Sequence, residues 1–230
     1  QIQVVGNKLI RSGVLASGNV IFHCCGSLSS SIWDAPDNIE IKVASVHPIY
    51  SFAEANSSLN NPINFHCAIE GDIEAMEILT VPFTLIGATL HKINRDTKSL
   101  YHASTVMACN YLVSLLELSH SMLQAAGIEQ GKDRNILRPL IEQTLNNYLS
   151  TDAKKALTGP ISRGDIDTVS SHLLALENQS QIWRDVYISL GKVTLDVAEK
   201  QGSPVENLNK ISSLLEKSLN LSMYKDQNEN

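Results

Sequence analysis

The sequence has no cluster of lysine or arginine. Its 18 basic residues are outnumbered by 24 acidic ones, which leaves a net charge of −6 and a pI near 5.6. Neutralising a phosphate backbone takes grouped cations, so nucleic acid is not an expected partner. No segment approaches the roughly 20 uninterrupted apolar residues of a membrane span, and no membrane association is expected. The four cysteines, Cys24, Cys25, Cys67 and Cys109, contain no CxxC pair. Adjacent cysteines make poor structural disulfides and the spacing matches no zinc site, so a reducing cytoplasm fits best. None of the seven histidines has an HxxxH partner, and no metal site is expected.

What is present is an ordinary globular composition with two kinds of pattern. Up to about Asn94, short apolar β-rich runs alternate with helical ones. Helix Ile2–Ile10 is followed by strands at Asn19–Cys24, Ile41–Pro48, Phe65–Ile69 and Thr89–Ile93, with a helix from Ile73 to about Leu85. Pro48 is expected to end its strand, and the alternation suggests parallel pairing with helical crossovers. After Asp96 the pattern is helical throughout. The first helix runs unbroken from Asp96, a good N-cap, to Ala126, where Gly127 closes it; its apolar sides suggest a core helix. Further helices are expected at Lys132–Leu149, Ile166–Glu177, Ile182–Lys200 and Pro204 to about Leu221. The division is therefore 1–94, α/β; 95–222, all helix; and 223–230, a disordered tail.

Polar residues in apolar surroundings mark candidate sites. Lys98 and His102, four apart, share one side of the long helix; Asn110 lies off that line. Three polar clusters follow strand ends, where open sheets bind ligands: His23-Cys24-Cys25-Gly26, His47 to Phe52 including Ser51, and Glu70-Gly71-Asp72. Each alone is compatible with plain turn chemistry, Asp72 as a helix cap in particular. In the loop ALTGPISRGD, Arg163 is the one cation and could hold a carboxylate or phosphate; the bland reading is a helix connector. A Cys/His nucleophile from Cys24 or Cys25 with His47 is a further alternative to simple packing.

HPIYSF, AIEGD, KSLYHASTVMACNYLVSLL and ALTGPISRGDIDTVSSHLLAL occur in this order in one family, and over nearly the whole chain, Gln1 to about Ala198, the sequence resembles it. It looks like the Rossmann-like proteins with a C-terminal domain of unknown function, relatives of pyrroline-5-carboxylate reductase, ketopantoate reductase and the 6-phosphogluconate dehydrogenase group. The resemblance implies an α/β plus all-α protein. Residues 1–94 would be the second half of a Rossmann-like NAD(P)-binding domain, and 95–222 a 6-phosphogluconate-dehydrogenase-like helical domain that carries substrate and dimerises. It further implies an oxidoreductase (reductase) acting on a small carbonyl, imine or hydroxy-acid-type substrate with NADP or NAD. Lys98 and His102 would be catalytic, as proton donor and orienting group. His47, Ser51, Asn110 and Arg163 would bind substrate, and His23, Cys25 and Gly26 would lie beside the nicotinamide. The G-x-G-x-x-G turn that cradles the pyrophosphate in such proteins is absent. Either that half lies outside these residues, or the chain is a non-catalytic ligand-binding or regulatory protein derived from such a reductase.

Overall fold

A computed structural model describes residues 1–33, 39–51 and 64–228. The chain forms two compact units, Gln1–Leu116 and Glu117–Asn230.

The first unit opens with α1 (Ile2–Arg11), which packs Ile10 against Ile21, Trp33 and Ile41. A Cβ at Gly6 would fall on the Trp33 indole, so the helix approaches the ring as closely as only glycine permits. Four strands follow: β1 (Val20–His23), β2 (Lys42–Ile49), β3 (Phe65–Gly71) and β4 (Ala88–Lys92), in that order across the sheet. β1/β2 and β3/β4 are parallel. β2/β3 is antiparallel, which corrects the expectation of uniformly parallel pairing. Pro48 lies inside β2 rather than ending it. β1 stops opposite Ser45, so at Pro48 only β3 flanks the strand and the missing N–H costs no ladder bond on the open side.

The alternation of side chains across the strands then assigns two faces. Ala44, Val46, Cys67 and Ile69 meet Ala75, Met76 and Leu79 of α2 (Ile73–Leu85), the β3–β4 crossover, in a buried core. The opposite face carries Ser45, His47, Ala68 and Glu70.

The long helix expected from Asp96 to Ala126 is interrupted at Cys109, giving α3 (Lys98–Ala108) and α4 (Asn110–Ala125). Gly127, at φ +95°, closes it as expected. It is not a core helix: α3 buries only Lys98 and α4 only His120. By length and composition the run Arg95–Ala125 would suffice to cross a membrane, at mean hydropathy 1.2, although no uninterrupted apolar stretch exists; Ser, Thr, Asn and His are interspersed along it. Strand content ends at Lys92, yet the first compact unit extends to Leu116, because the first turns of α3 bond to the sheet.

The second unit continues with α5 (Asp133–Ser150), α6 (Ala153–Ala156), α7 (Pro160–Arg163), α8 (Ile166–Leu176), α9 (Gln181–Gln201) and α10 (Val205–Asn228). α10 is thus longer than the expected end near Leu221. Ile161, Val169, Leu173, Ile188, Ala198, Leu208, Ile211 and Leu215 form its core. The TGPISRGD loop is pinned at both sides. Asp165 caps α8 by accepting from Thr168 N (3.1 Å), while Ser203 Oγ and Asn207 Nδ2 donate to the carbonyls of Ser162 and Gly164 (2.6 and 2.9 Å). Gly164 is left-handed, φ +66°, which favours glycine there.

Candidate active site on the open face of the sheet

Residues in register point to the same face of a sheet. His23, Ser45 and Glu70 make one such row across β1, β2 and β3, and His47, Ala68 and His91 make the next across β2, β3 and β4. Onto this face α3 lowers Lys98, Tyr101 and His102, which at i, i+3 and i+4 share one side of the helix.

Lys98 enters the first row. Its ammonium donates to Glu70 Oε1 (3.0 Å) and to Ser45 Oγ, with Lys98 2% and Glu70 1% exposed. Glu70 also accepts from the backbone N–H and hydroxyl of Ser30 (2.9 and 2.7 Å), and Arg95 Nε lies 3.4 Å from its second oxygen. Burial pushes the Glu70 carboxyl up, but the hydrogen bonds from Ser30 and Lys98 outweigh it and hold the group below the ordinary carboxylate value. Burial draws the Lys98 ammonium below the ordinary lysine value against the opposing pull of Glu70. Arg95 reaches on to Asp72 Oδ1 (3.0 Å), whose other oxygen accepts from Val43 N (2.8 Å). Asp72 precedes α2 without making a side-chain cap bond; its carboxylate ties Arg95 to β2 instead.

The second row is less enclosed. His47 Nδ1 and Tyr101 Oη are hydrogen-bonded at 2.7 Å, and the His102 ring stands 5.8 Å from that of His47. Burial, then the neighbouring His102 and Lys98, lower the His47 pKa; burial raises that of Tyr101. The loop after β1 passes beneath both imidazoles. A Cβ at Gly26 would lie 2.8 Å from His47 Nε2 and fall on the His102 ring, so residue 26 must be glycine for this approach. In the same loop, burial raises the Cys25 thiol pKa, but hydrogen bonds from Ser27 and Leu28 more than offset this and leave it lowered. His23 is occupied with structure. Its Nδ1 accepts from Cys25 N (3.2 Å), which leaves Nε2 to donate to Ser29 O (3.3 Å), and its ring abuts Trp33.

The fold therefore brings together Lys98, His102, His47, His23, Cys25 and Gly26. It does not bring Ser51 or Asn110 to them. Ser51 is exposed after β2, and the rest of its loop, Phe52 included, lies outside the described residues. Asn110 is exposed at the start of α4, about 18 Å of helix rise beyond Lys98. Arg163 belongs to the second unit and is exposed at the end of α7. Sequence reasoning missed Tyr101, although its place three residues after Lys98 put it on the same side. Glu70, noted in a strand-end cluster, was not matched to the lysine, and Ser30, Ser45 and Arg95 carried no signal.

Residues 65–194 match the family model described as a domain of unknown function, DUF2520. Among solved structures, the chain is similar to protein TM1727 from Thermotoga maritima: 26% identity over 79% of this chain and 70% of the other, TM-score 0.63. It is also similar in fold to a Bacteroides fragilis protein named "putative NADP oxidoreductase BF3122": 19% identity over 72% of this chain and 61% of that one, TM-score 0.54. No curated protein matches the sequence.

Proposed function

Since the chain belongs to the DUF2520 family, whose name assigns no reaction, function has to come from the site, and we propose that it is part of an NAD(P)-dependent reductase acting on a small carbonyl, imine or hydroxy-acid-type substrate. The carrying observation is the His47–Tyr101 hydrogen bond at 2.7 Å, half-buried beside His102 on the sheet face that α3 covers. Reduction of a polar double bond needs a proton at the heteroatom, and an imidazole coupled to a phenol can hold and deliver one. The likeness in fold to BF3122 agrees with this class.

Lys98 changes role in this reading. At 2% exposure and bonded to Glu70 and Ser45, its ammonium is a positioning group behind the pair that meets substrate. His102 keeps the orienting role, against His47. In this reading these residues would face the nicotinamide end of a dinucleotide, with Gly26 letting the loop come up under the imidazoles; no glycine turn for the pyrophosphate occurs in the sequence. When bound, the nicotinamide supplies the hydride. The protein would work in a reducing cytoplasm and as a homodimer through its helices, Ser51, Asn110 and Arg163 serving substrate if other parts of the dimer complete the site. The enclosure of Lys98 favours a second reading, a ligand-binding protein without hydride chemistry.

The deciding measurement is titration of the whole protein with NADPH and NADH, followed by cofactor fluorescence. Saturable binding with turnover of keto acids or imines is expected, with Tyr101→Phe lowering kcat at least tenfold and leaving cofactor affinity unchanged. Binding of neither nicotinamide moves the protein to the second reading.

A further inference from the structure

On the same sheet face, at the β4 end of the row of His47, two imidazoles meet without a role in the reductase reading. His66 on β3 and His91 on β4 are both exposed, and their Nδ1 and Nε2 atoms lie 2.9 Å apart with ring centroids at 5.0 Å. The register explains why they meet. His66 pairs with Thr89 and Ala68 with His91, so the two histidines stand diagonally on one face of adjacent parallel strands. A hydrogen bond between two exposed imidazoles gains little over their bonds to water. Two imidazoles held nitrogen to nitrogen by a sheet are, however, a pre-set pair of borderline-soft donors. Metal–imidazole bonds of about 2.0–2.1 Å at ligand angles near 90–110° put the two nitrogens roughly 2.9–3.4 Å apart. The observed separation falls at the short end of that window.

We propose that His66 and His91 form a two-imidazole chelate for a divalent transition cation of the zinc class, coordinated by Nδ1 of His66 and Nε2 of His91. On binding, the N–H proton that joins the rings passes to the outer nitrogen of its own imidazole and the cation takes its place. Among the described residues, no group of three or more His, Cys, Asp or Glu side chains converges as a metal site. The remaining coordination positions are thus open to water or to an oxygen or nitrogen ligand from outside the chain. This site is separate from the His47–Tyr101 pair and does not depend on the reaction proposed above.

Calorimetric titration with ZnCl2 tests it on the whole protein. One equivalent is expected to bind, with affinity falling at least tenfold in His66→Ala and in His91→Ala and unchanged in His102→Gln. As a readout free of any folding effect, Ni2+ added to the unsubstituted protein is expected to broaden the ring signals of His66 and His91 before those of the other histidines. No zinc binding, affinity in both alanine variants equal to that of the unsubstituted protein, or loss confined to His102→Gln overturns the proposal.

Discussion

At the scale of single residues, the Lys98–Glu70 pair is the contact with the largest consequence. Two charges taken out of water cost several kcal/mol each, and here that cost is offset by Ser45, Ser30 and the mutual attraction. Removing one partner strands the other. Lys98→Met and Glu70→Gln are therefore each expected to lose about 3–5 kcal/mol of folding stability, while the double substitution recovers most of it. Denaturant unfolding of the three variants measures this; single variants as stable as the parent would mean that the buried charges do not depend on each other. The neighbouring residues were legible to different degrees. Lys98 and His102 stood out as polar groups on an apolar helix, and Tyr101 follows from the same helical arithmetic. Glu70 could not be assigned to the lysine, because 28 positions of chain separate them and only strand register closes the gap.

At the scale of elements, α4 and α5 carry apolar residues that the described contacts leave uncovered: Tyr111 and Val113 on α4 are 58% and 65% exposed, and Ile136 and Leu140 on α5 are 51% and 63%. α5 fully buries Asp133 alone. Under the proposed homodimer a second copy would cover these apolar faces. Light scattering at micromolar concentration is expected to give twice the chain mass, and Val113→Glu or Leu140→Glu to weaken association at least tenfold. A monomeric parent protein would remove the dimer, and partition into lipid vesicles would assign the Arg95–Ala125 run to a bilayer instead. The end of the long helix was legible from Gly127, but its interruption at Cys109 and the extension of α10 to Asn228 were not. Nor was the exposure of the long helix, because a sequence of apolar residues does not say whether its own chain or another body covers them.

For the whole molecule, the buried His23 and the half-buried His47 set the response to acid. His23 and His47 are both held below the ordinary histidine value of 6.5, by burial first in each case. The unfolded chain then binds more protons than the native one as pH falls through 6.5. Their contribution to stability is complete above that pH and declines from there toward their depressed native values. Glu70 acts later. Its carboxylate stabilises above the ordinary value of 4.5, and that contribution goes only as pH falls through its depressed native pKa. Thermal melts are expected to show Tm falling first below pH 6.5 and again in the acid range; a Tm constant from pH 8 to pH 5 would falsify the assignment of neutral buried imidazoles.

The amino-acid sequence alone determined the order of strands and helices, the change to all-helix after β4, the loop around TGPISRGD and the family likeness. These depend on periodicity, capping residues and local spacing, which act over a few positions. Tertiary structure alone decided that β2 and β3 run antiparallel, that Glu70 and not solvent receives Lys98, that Asp72 ties a strand to Arg95, and that His66 meets His91. Each of these rests on the register between strands joined by long connections or crossovers, a choice made by burial of a whole sheet face rather than by any residue's neighbours in the chain.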